Sequence, residues 1–505
     1  MKTAVILALV ALLCPVVAFG QAAEQNLRLT RDDAVRLATE NNPDLAVTRL
    51  EPAVTDAQVA AARAAFLPTL SSSLLRNGDT QPAASLFTGD RPVETAFWSG
   101  SAGLTQLTPW GGSYDVSLTA ARTTTTSPYT SFTPSLTSTL QAIVSQPLLR
   151  NRRIDLARAQ LELTRRNRDI AEAQVRERTA QVRATAESAY WALVSARSLV
   201  AVQQRALDLA LELERTNRAR VDVGQSPPLD LVAARAEVAQ RRENLIVART
   251  QVLQAEDTLR TLVIDPKRAD YWTLRLEPAD TAPPITALPD LDAAVRRALG
   301  ERADVAAARH TIENTETNIR VAENQVMPDL RAEATYVSRG LGGSRLLRTG
   351  GFPGTIVGTE NTSFGTVLNQ ILTNDFPNWT VGFTLSYPLG NSVQEANLAR
   401  AKLERDQAAA RLRSLELSVV REVRDAALRL EQNRQRIETA GLGRELAEQR
   451  LDAEQKRFSV GMSTSFLVIQ AQRDLAIARD NEQRTLLDYQ LAVVAFEAVQ
   501  QAPTR

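Results

Sequence analysis

The sequence predicts a mixed fold, in which each half of a tandem-duplicated chain combines membrane β-strands with very long α-helices. The first observation is an internal repeat that runs through most of the 505 residues. The second is strand-like alternation of apolar and polar residues early in each half. The third is a very long helical stretch late in each half, which contains no Pro and almost no Gly before its turn.

Composition excludes most enzyme classes. The chain has one Cys and one His, whereas Cys-based zinc sites, disulfide frameworks and Ser–His or Cys–His catalysis need more of these residues. The net charge is +1, and nucleic-acid binding usually leaves a basic excess. Walker loops, dinucleotide fingerprints and zinc-protease motifs do not occur in the sequence. We therefore expect no enzyme activity, no cofactor, no metal and no nucleic-acid partner.

Residues 1–20 have the pattern of an export signal peptide. Lys2 gives a positive start, an apolar stretch follows, and Ala18-Phe19-Gly20 predicts cleavage between Gly20 and Gln21. The apolar stretch is too short to span a membrane, and no later segment has about eighteen consecutive apolar residues. The mature chain is therefore expected to be exported without a helical anchor.

An internal repeat relates the two halves of the chain. The segment Ala34–Ala38 recurs as Ala294–Ala298 at an offset of 260 residues. Later matches keep their order, but their offsets fall to 241 and 237, which indicates insertions in the first half. The predicted domains are a first structural repeat at 21–265, a Pro-rich linker at 266–290, a second repeat at 291–500 and a tail at 501–505.

Each repeat is expected to open with one helix that ends before a proline. Thr30 is the expected N-cap in the first repeat, with Asp33 at the third helical position. Asp290 or Asp292 is expected to cap the corresponding helix in the second repeat. The prolines that end these helices are Pro68 and Pro328.

Strands are expected next, at about 68–148 and about 328–389. In the second repeat, apolar and polar residues alternate from Leu330 to Tyr336 and again from Trp379 to Tyr387. The first repeat alternates in the same way from Tyr114 to Ala120. This period of two predicts strands with one apolar and one polar face.

Two strands in each repeat give four per chain, whereas bacterial membrane barrels begin at about eight. Because open strand edges cannot face lipid, three chains are expected to close a twelve-stranded barrel. A further hairpin is a candidate at Pro109–Gly112, around Trp110, and with it the trimer would have eighteen strands. The Gly-rich segment Gly340–Gly365 is expected to be a long exposed loop.

Each repeat then ends in a very long helical hairpin, at 151–264 and 391–500. From Asn151 to Val221 there is neither Pro nor Gly, which is enough for about 105 Å of helix. Apolar residues recur at seven-residue intervals, the period of coiled coils. The hairpins are expected to turn at Gly224 and Gly461.

Three segments carry a family resemblance: the opening Leu29–Asp44, the strand-to-helix crossover Ser145–Leu149, and Arg457–Gly461 with Phe466–Arg473 at the second turn. They resemble the TolC-type outer membrane efflux family, over essentially the whole mature chain. The resemblance implies a homotrimer with a β-barrel in outer-membrane lipid, continued by a periplasmic α-helical barrel with a closable inner tip. It also implies two partners, a periplasmic adaptor and an inner-membrane efflux pump or ABC exporter.

The expected function is that of a passive exit duct in the outer membrane of a Gram-negative-type bacterium, extending into the periplasm. It would serve a tripartite efflux or type I secretion system. The alternative is a periplasmic adaptor or structural coiled-coil protein that bridges the two membranes. An adaptor would have one helical hairpin flanked by lipoyl-like and barrel strands, whereas this chain has two hairpins, each preceded by amphipathic strands.

The functional sites are expected at the helix tips, because the constriction of a tube sets its selectivity. The two glycines are expected to supply the positive φ of the turns. Ser226 is expected to N-cap the return helix, with Pro227 at its first position. The residues expected to dock an adaptor are Val223, Gly224, Gln225, Ser226, Val460, Gly461, Met462 and Ser463.

The expected gate and constriction consist of Asp230, Phe458, Leu467 and Gln470. By resemblance, Asp230 matches a position that bonds a Tyr on the neighbouring tip, but Phe458 stands at that Tyr position and has no hydroxyl. The alternative, a first-turn carboxylate favoured by the helix dipole, is preferred for Asp230. The family's tip Arg corresponds to Ser463, and its acidic rings correspond to Leu467 and Gln470.

Overall fold

The computed structural model describes residues 26–82, 91–280, 289–351, 354–390 and 392–500. The predicted signal peptide with its Gly20–Gln21 cleavage site, and the predicted tail, lie outside these residues. The described chain divides into two compact units. The first takes its described residues from within 26–46, 178–298 and 420–500, and the second from within 47–177 and 299–419.

The described ranges contain nine strands and nine helices. In chain order they are β1 (Asn26–Leu29), α1 (Arg31–Asn41), α2 (Pro43–Ala64), β2 (Thr69–Gln81), β3 (Val93–Leu107), β4 (Ser113–Thr125), β5 (Phe132–Pro147), α3 (Leu156–Asp222), α4 (Pro228–Val263), β6 (Arg275–Pro278), α5 (Leu291–Glu301), α6 (Ala303–Val326), β7 (Asp329–Thr349), β8 (Thr355–Thr362), α7 (Phe364–Leu372), β9 (Pro377–Ser386), α8 (Val393–Ser459) and α9 (Ser465–Gln500).

The core of the first unit surrounds α1 and a two-stranded parallel sheet of β1 and β6. The N-cap predicted at Thr30 is confirmed, since its hydroxyl accepts the Asp33 N–H at 3.1 Å, as part of a capping box. Tyr190 of α3 is fully buried, and its hydroxyl donates to the Asp280 carboxylate at 2.9 Å. Burial raises the pKa of Tyr190 to about 12, so it is a neutral core residue at physiological pH. The segment predicted to be a linker therefore contributes β6 and Asp280 to this core.

The opening segment of each repeat is two helices, so the prediction of one helix is wrong. Asn42 is extended, and its side-chain oxygen accepts the Leu45 N–H at 3.0 Å, which caps α2. Pro43 has no N–H with which to continue α1. The second repeat breaks at the corresponding place, where Arg302 is extended between α5 and α6. Both α2 and α6 end ahead of the prolines that the sequence indicated.

The second unit contains one antiparallel sheet of seven strands in the order β2-β3-β4-β5-β7-β8, with β9 also paired to β7. The prediction of four strands per chain is wrong. β3 and β4 form the hairpin suggested by Trp110, and its turn is closed by Thr108, whose N–H and hydroxyl both donate to the Gly112 carbonyl at 2.8 Å. Three further strands come from residues 329–386.

The Gly340–Gly365 segment is not the exposed loop that its composition suggested. β7 continues to Thr349, β8 returns along it, and α7 then packs on β7 and β5. A Cβ at Gly340 would collide with the backbone oxygen of Val367, a fully buried residue of α7. These glycines therefore permit close helix–sheet packing, which composition does not distinguish from a loop.

The two helical hairpins have matched lengths. α3 and α8 each have 67 residues, and α4 and α9 each have 36. α3 begins at Leu156 rather than at Asn151, because Asn151 has a φ of 63° and Asp155 accepts the Arg158 N–H at 2.8 Å. None of the helices in the described ranges combines the length and the apolar character that a membrane span requires.

Candidate functional site

Each helical hairpin turns at a tip with the same backbone geometry. Gly224 has a φ of 74° and Gly461 a φ of 81°, so the predicted positive φ is confirmed at both. At each tip the glycine N–H bonds to the carbonyl three residues back, and the next N–H bonds to the carbonyl five residues back at 2.8 Å. This pair of bonds is the Schellman motif, which satisfies the last carbonyls of a helix.

The return helix of the first tip begins one residue later than the sequence suggested. α4 begins at Pro228, its N-cap is Pro227, and the prediction that Ser226 caps the helix is wrong. A proline disfavours helical backbone at the residue before it, so Pro228 holds Pro227 extended at a ψ of 148°. At the second tip Thr464 precedes α9, and its hydroxyl accepts the Leu467 N–H at 3.4 Å.

Replacing either tip glycine by alanine is expected to loosen the turn. A Cβ at Gly224 or Gly461 would meet no other atom within 4 Å, so the cost is the left-handed backbone alone, about 1–2 kcal/mol. Hydrogen exchange of the tip amides should then be about five- to thirtyfold faster. Gly443→Ala is the matched control, because Gly443 lies inside α8 with equally open space and no positive φ. Unchanged exchange in both tip variants would contradict the role of the motif.

The tips expose apolar side chains. Val223, Val460 and Met462 are 68%, 69% and 79% exposed. Gln225 is exposed, whereas Ser226 and Ser463 are half-buried. Ser463 donates its hydroxyl to the Glu454 carboxylate at 2.6 Å, so it is tied to its own hairpin. The structure also places Leu229 and Phe466, both exposed, in the first turns of the return helices.

A buried asparagine of α3 joins the two tips of one copy. Asn217 is fully buried, and its amide donates to the Ser465 hydroxyl at 2.6 Å and to the Asp230 backbone carbonyl at 3.3 Å. Ser465 is the first residue of α9, and Asp230 lies in the first turn of α4. Asn217 therefore fixes both return helices to α3 at their beginnings.

An arginine of α3 holds the end of α8. Arg220 donates to the carbonyls of Phe458 and Ser459 at 2.9 and 3.4 Å. Its guanidinium carbon lies 4.0 Å from the centre of the Phe458 ring. Phe458 is buried in a cluster with Leu213 and Ile469. The Phe458 ring is therefore an anchor for Arg220 within the same copy.

The other residues that were predicted to form the constriction lie in different surroundings. Asp230 is half-buried, and no hydrogen bond joins its carboxylate to another described residue. Leu467 is exposed on α9. The Gln470 amide donates to the Asp474 carboxylate at 2.9 Å, and Arg450 pairs with the same carboxylate at 2.7 Å. The structure thus links Asp230 and Phe458 through α3, and it does not join Leu467 or Gln470 to them.

A buried ion cluster ties α4 to α9 further from the tips. Glu237 is 2% exposed and pairs with Arg241 of its own helix and with Arg473 of α9, both at 2.7 Å. A buried carboxylate left without these partners would be strongly destabilising. Within the described ranges, no group of three His, Cys, Asp or Glu side chains could hold a metal ion.

Sequence reasoning missed Asn217, Arg220 and Glu237. Asn217 and Ser465 are 248 positions apart, so no local pattern connects them. Arg220 did carry a signal, because the repeat places Arg457 at the same position of the second tip. The two arginines differ in role, since Arg457 is exposed and pairs with Glu454 one turn earlier.

Comparison with known sequences identifies the family. The profile of a family described as outer membrane efflux protein matches residues 34–263 and 294–499, which are most of the two repeats. The chain belongs to the outer membrane efflux protein family. Among curated proteins, none matches the sequence.

Solved structures share the fold of this outer membrane efflux protein. A membrane protein from Pseudomonas aeruginosa is 18% identical with a TM-score of 0.66, and 93% of each chain is covered. VceC from Vibrio cholerae is 15% identical with a TM-score of 0.64, over 93% of this chain and 96% of VceC. The open MtrE channel of Neisseria gonorrhoeae is 18% identical with a TM-score of 0.63, over 93% and 88%.

The outer membrane efflux protein is accordingly an outer-membrane channel, the exit duct of an export system that crosses the periplasm. Its fold is the predicted one, a homotrimeric β-barrel continued by a long α-helical barrel. The family consists of transport proteins, which work with partners of the adaptor and pump kind. These findings favour the channel over the alternative of a periplasmic adaptor or coiled-coil bridge.

Proposed function

We propose that the two tips of each copy dock a periplasmic adaptor and close the inner end of the duct. Substrates would arrive from an inner-membrane efflux pump or ABC exporter and pass through without energy input from this chain. The observation that carries the proposal is the pair of tips, which share one turn geometry and expose apolar side chains. Repeats 21–265 and 291–500 would each supply one tip, so a trimer would present six similar docking sites.

The chemistry of the tips suits a protein partner. Val223, Val460 and Met462 are each more than two-thirds exposed, and they lie beside glycines that no side chain covers. Apolar surface grouped in this way marks sites of protein association, because water leaves it when a partner binds. The proposed adaptor contact is therefore apolar at its centre, with Gln225 and Ser226 at its edge.

A charge placed at a tip is expected to abolish export. Val460→Glu would put a carboxylate into the apolar contact and so weaken adaptor docking by at least tenfold, about 1.4 kcal/mol or more. The measurement is resistance of the native host to exported toxic compounds, together with the amount of trimer in the outer membrane. Single-channel conductance in planar bilayers should stay the same, because no adaptor takes part.

Gln225→Glu is the matched control for this charge. It adds the same carboxylate at the edge of the proposed contact but removes no apolar side chain, so export is expected to fall clearly less than in Val460→Glu. Full export by Val460→Glu, at normal trimer levels, would refute the proposed docking surface. Loss of both export and bilayer conductance would instead indicate a defect in folding or in the channel itself.

We further propose that Arg220 and Asn217 hold the tips in place, with Asp230 and Phe458 as the groups that they hold. The support is their geometry: both residues lie on α3, and between them they contact α4, the end of α8 and the beginning of α9. A clamp of this kind works within one copy. It does not need the inter-copy Tyr–Asp bond that Phe458 cannot make.

A further inference from the structure

We infer that the wall of the trimeric barrel has eighteen strands, six from each copy, and encloses an exit lumen wide enough for bulky solutes. Such a lumen would pass a compact solute of about 10 Å radius. The inference rests on the exit-duct function and deepens it, because it sets the size of the solutes that can leave through the barrel. The β3–β4 hairpin is the part of the chain that carries it.

The hairpin is part of the wall and not an appendage to it. β3 pairs with β2 from Thr69 to Gln81, and β4 pairs with β5 from Ser113 to Thr123. In the described sheet β2 and β5 therefore do not pair with each other. Among the described residues of repeat two there is no equivalent hairpin, since β7 and β9 are direct neighbours. The six strands that cross the sheet are thus β2, β3, β4, β5, β7 and β9.

The β3–β4 hairpin extends both the apolar face and the polar face of the neighbouring strands. Paired positions place one mainly apolar face across all six strands, and the opposite face is mainly Ser, Thr, Asp and other polar residues. Apolar-out and polar-in alternation is the pattern of a membrane barrel that holds water. The apolar face includes Leu70, Leu74, Trp98, Leu104, Val116, Leu118, Leu140, Val144, Ala334, Tyr336, Trp379, Val381, Phe383 and Leu385.

The hairpin also has the length and the end groups of a membrane-spanning pair. β3 has 15 residues and β4 has 13, whereas a tilted strand needs about 9–11 to span a bilayer. Near one end Trp98 packs against Arg76 of β2, with the guanidinium carbon 4.8 Å from the ring centre. Near the other end lie Tyr114 and the exposed Trp110. Aromatic residues at both ends match the two interfaces of a bilayer.

The two edge strands of the wall, β9 of one copy and β2 of the next, can pair at a strand tilt that is normal for membrane barrels. Following the paired residues from strand to strand across the sheet connects Leu70 on β2 with Trp379 on β9. If the next copy's β2 lies along all of β9 with the apolar faces matched, Trp379 pairs with its Arg76 or Gly78. The strand register then shifts by about six or eight residues over the six strands of one copy. In a closed barrel this shift corresponds to a strand tilt of about 35° or 42° from the barrel axis. Both lie in the range of membrane barrels, about 35–45°.

Strand number then sets the width of the lumen. At this tilt eighteen strands give about 34–38 Å between backbones, against about 23–25 Å for twelve. Side chains take about 5 Å on each side, which leaves a radius of about 13 Å instead of about 7 Å. A solute of about 10 Å radius therefore passes the eighteen-stranded wall and is excluded by a twelve-stranded one.

The test compares the full chain with a variant that lacks Val93–Thr125. The deletion removes β3 and β4 and lets β2 pair directly with β5, which keeps the strands antiparallel. Polyethylene glycol of about 10 Å radius is added on the extracellular side of a planar bilayer. We expect it to lower the conductance of the full-length channel and to leave that of the deletion variant unchanged.

Strand number in the full-length trimer is counted independently by electron cryomicroscopy. Eighteen strands would support the inference even where the deletion variant fails to fold. Twelve strands, or exclusion of the polymer from the full-length channel, would overturn it while leaving an active duct. Absence of any conductance from the correctly assembled full chain would instead refute the exit-duct function on which the inference rests.

Discussion

Arg220→Ala is expected to raise the single-channel conductance several-fold. The variant loses two hydrogen bonds from a charged donor to the carbonyls of Phe458 and Ser459. It also loses the contact of the guanidinium with the Phe458 ring. Bonds of this kind stabilise by about 1.5–3 kcal/mol, so the end of α8 should move away from α3 far more often. The measurement is conductance of purified trimers in planar bilayers.

Two variants make this test specific. Arg218→Ala removes a neighbouring arginine that is exposed and pairs with Glu214 on its own helix, so its conductance should match that of the unmodified channel. Arg220→Lys keeps the charge but loses the planar group that stacks and donates twice, so an intermediate conductance is expected. Equal conductance for Arg220→Ala and Arg218→Ala would show that Arg220 does not restrain the tip.

Local signals explain what the sequence could predict. The Thr30 capping box needs residues only three positions apart, and the tip glycines need only the geometry of their own turn. β4, β7 and β9 were visible because bulky apolar residues alternate in them. β2 was not, since three consecutive serines interrupt its first half and leave Leu70 and Leu74 as its large apolar residues on the outer face.

The errors also have local causes. Glycines of β7 resembled a loop, although they are there because α7 packs closely on the strand. Two successive prolines moved the beginning of α4 and excluded Ser226 as its cap. The contacts of Asn217 and Arg220 join residues that are more than 230 positions away in the sequence. The one exception is the bond from Asn217 to the Asp230 carbonyl. Such contacts depend on how whole hairpins pack, and a single sequence holds no periodic pattern for them.

The unmodified channel is expected to show modest cation selectivity and little block by polyvalent cations. Leu467 and Gln470 place three leucines and three glutamines in the trimer where the family resemblance suggested acidic rings. The nearest later acid on α9, Asp474, does not restore a free charge, because Arg450 pairs with it at 2.7 Å. A ring of close carboxylates in a narrow pore would attract cations strongly, since little water screens it.

Replacing Leu467 and Gln470 together by Asp should create that block, with six carboxylates at the constriction of the trimer. A trivalent cation is added on the periplasmic side of a planar bilayer, and single-channel conductance is followed from nanomolar to millimolar concentration. The double Asp variant should be blocked at micromolar levels, and the unmodified channel only at millimolar levels. The matched control replaces both residues by Asn, which has the shape of Asp without its charge. If the unmodified channel is already blocked at micromolar levels, another acid forms the ring, and Asp230→Asn would then identify Asp230 by abolishing the block.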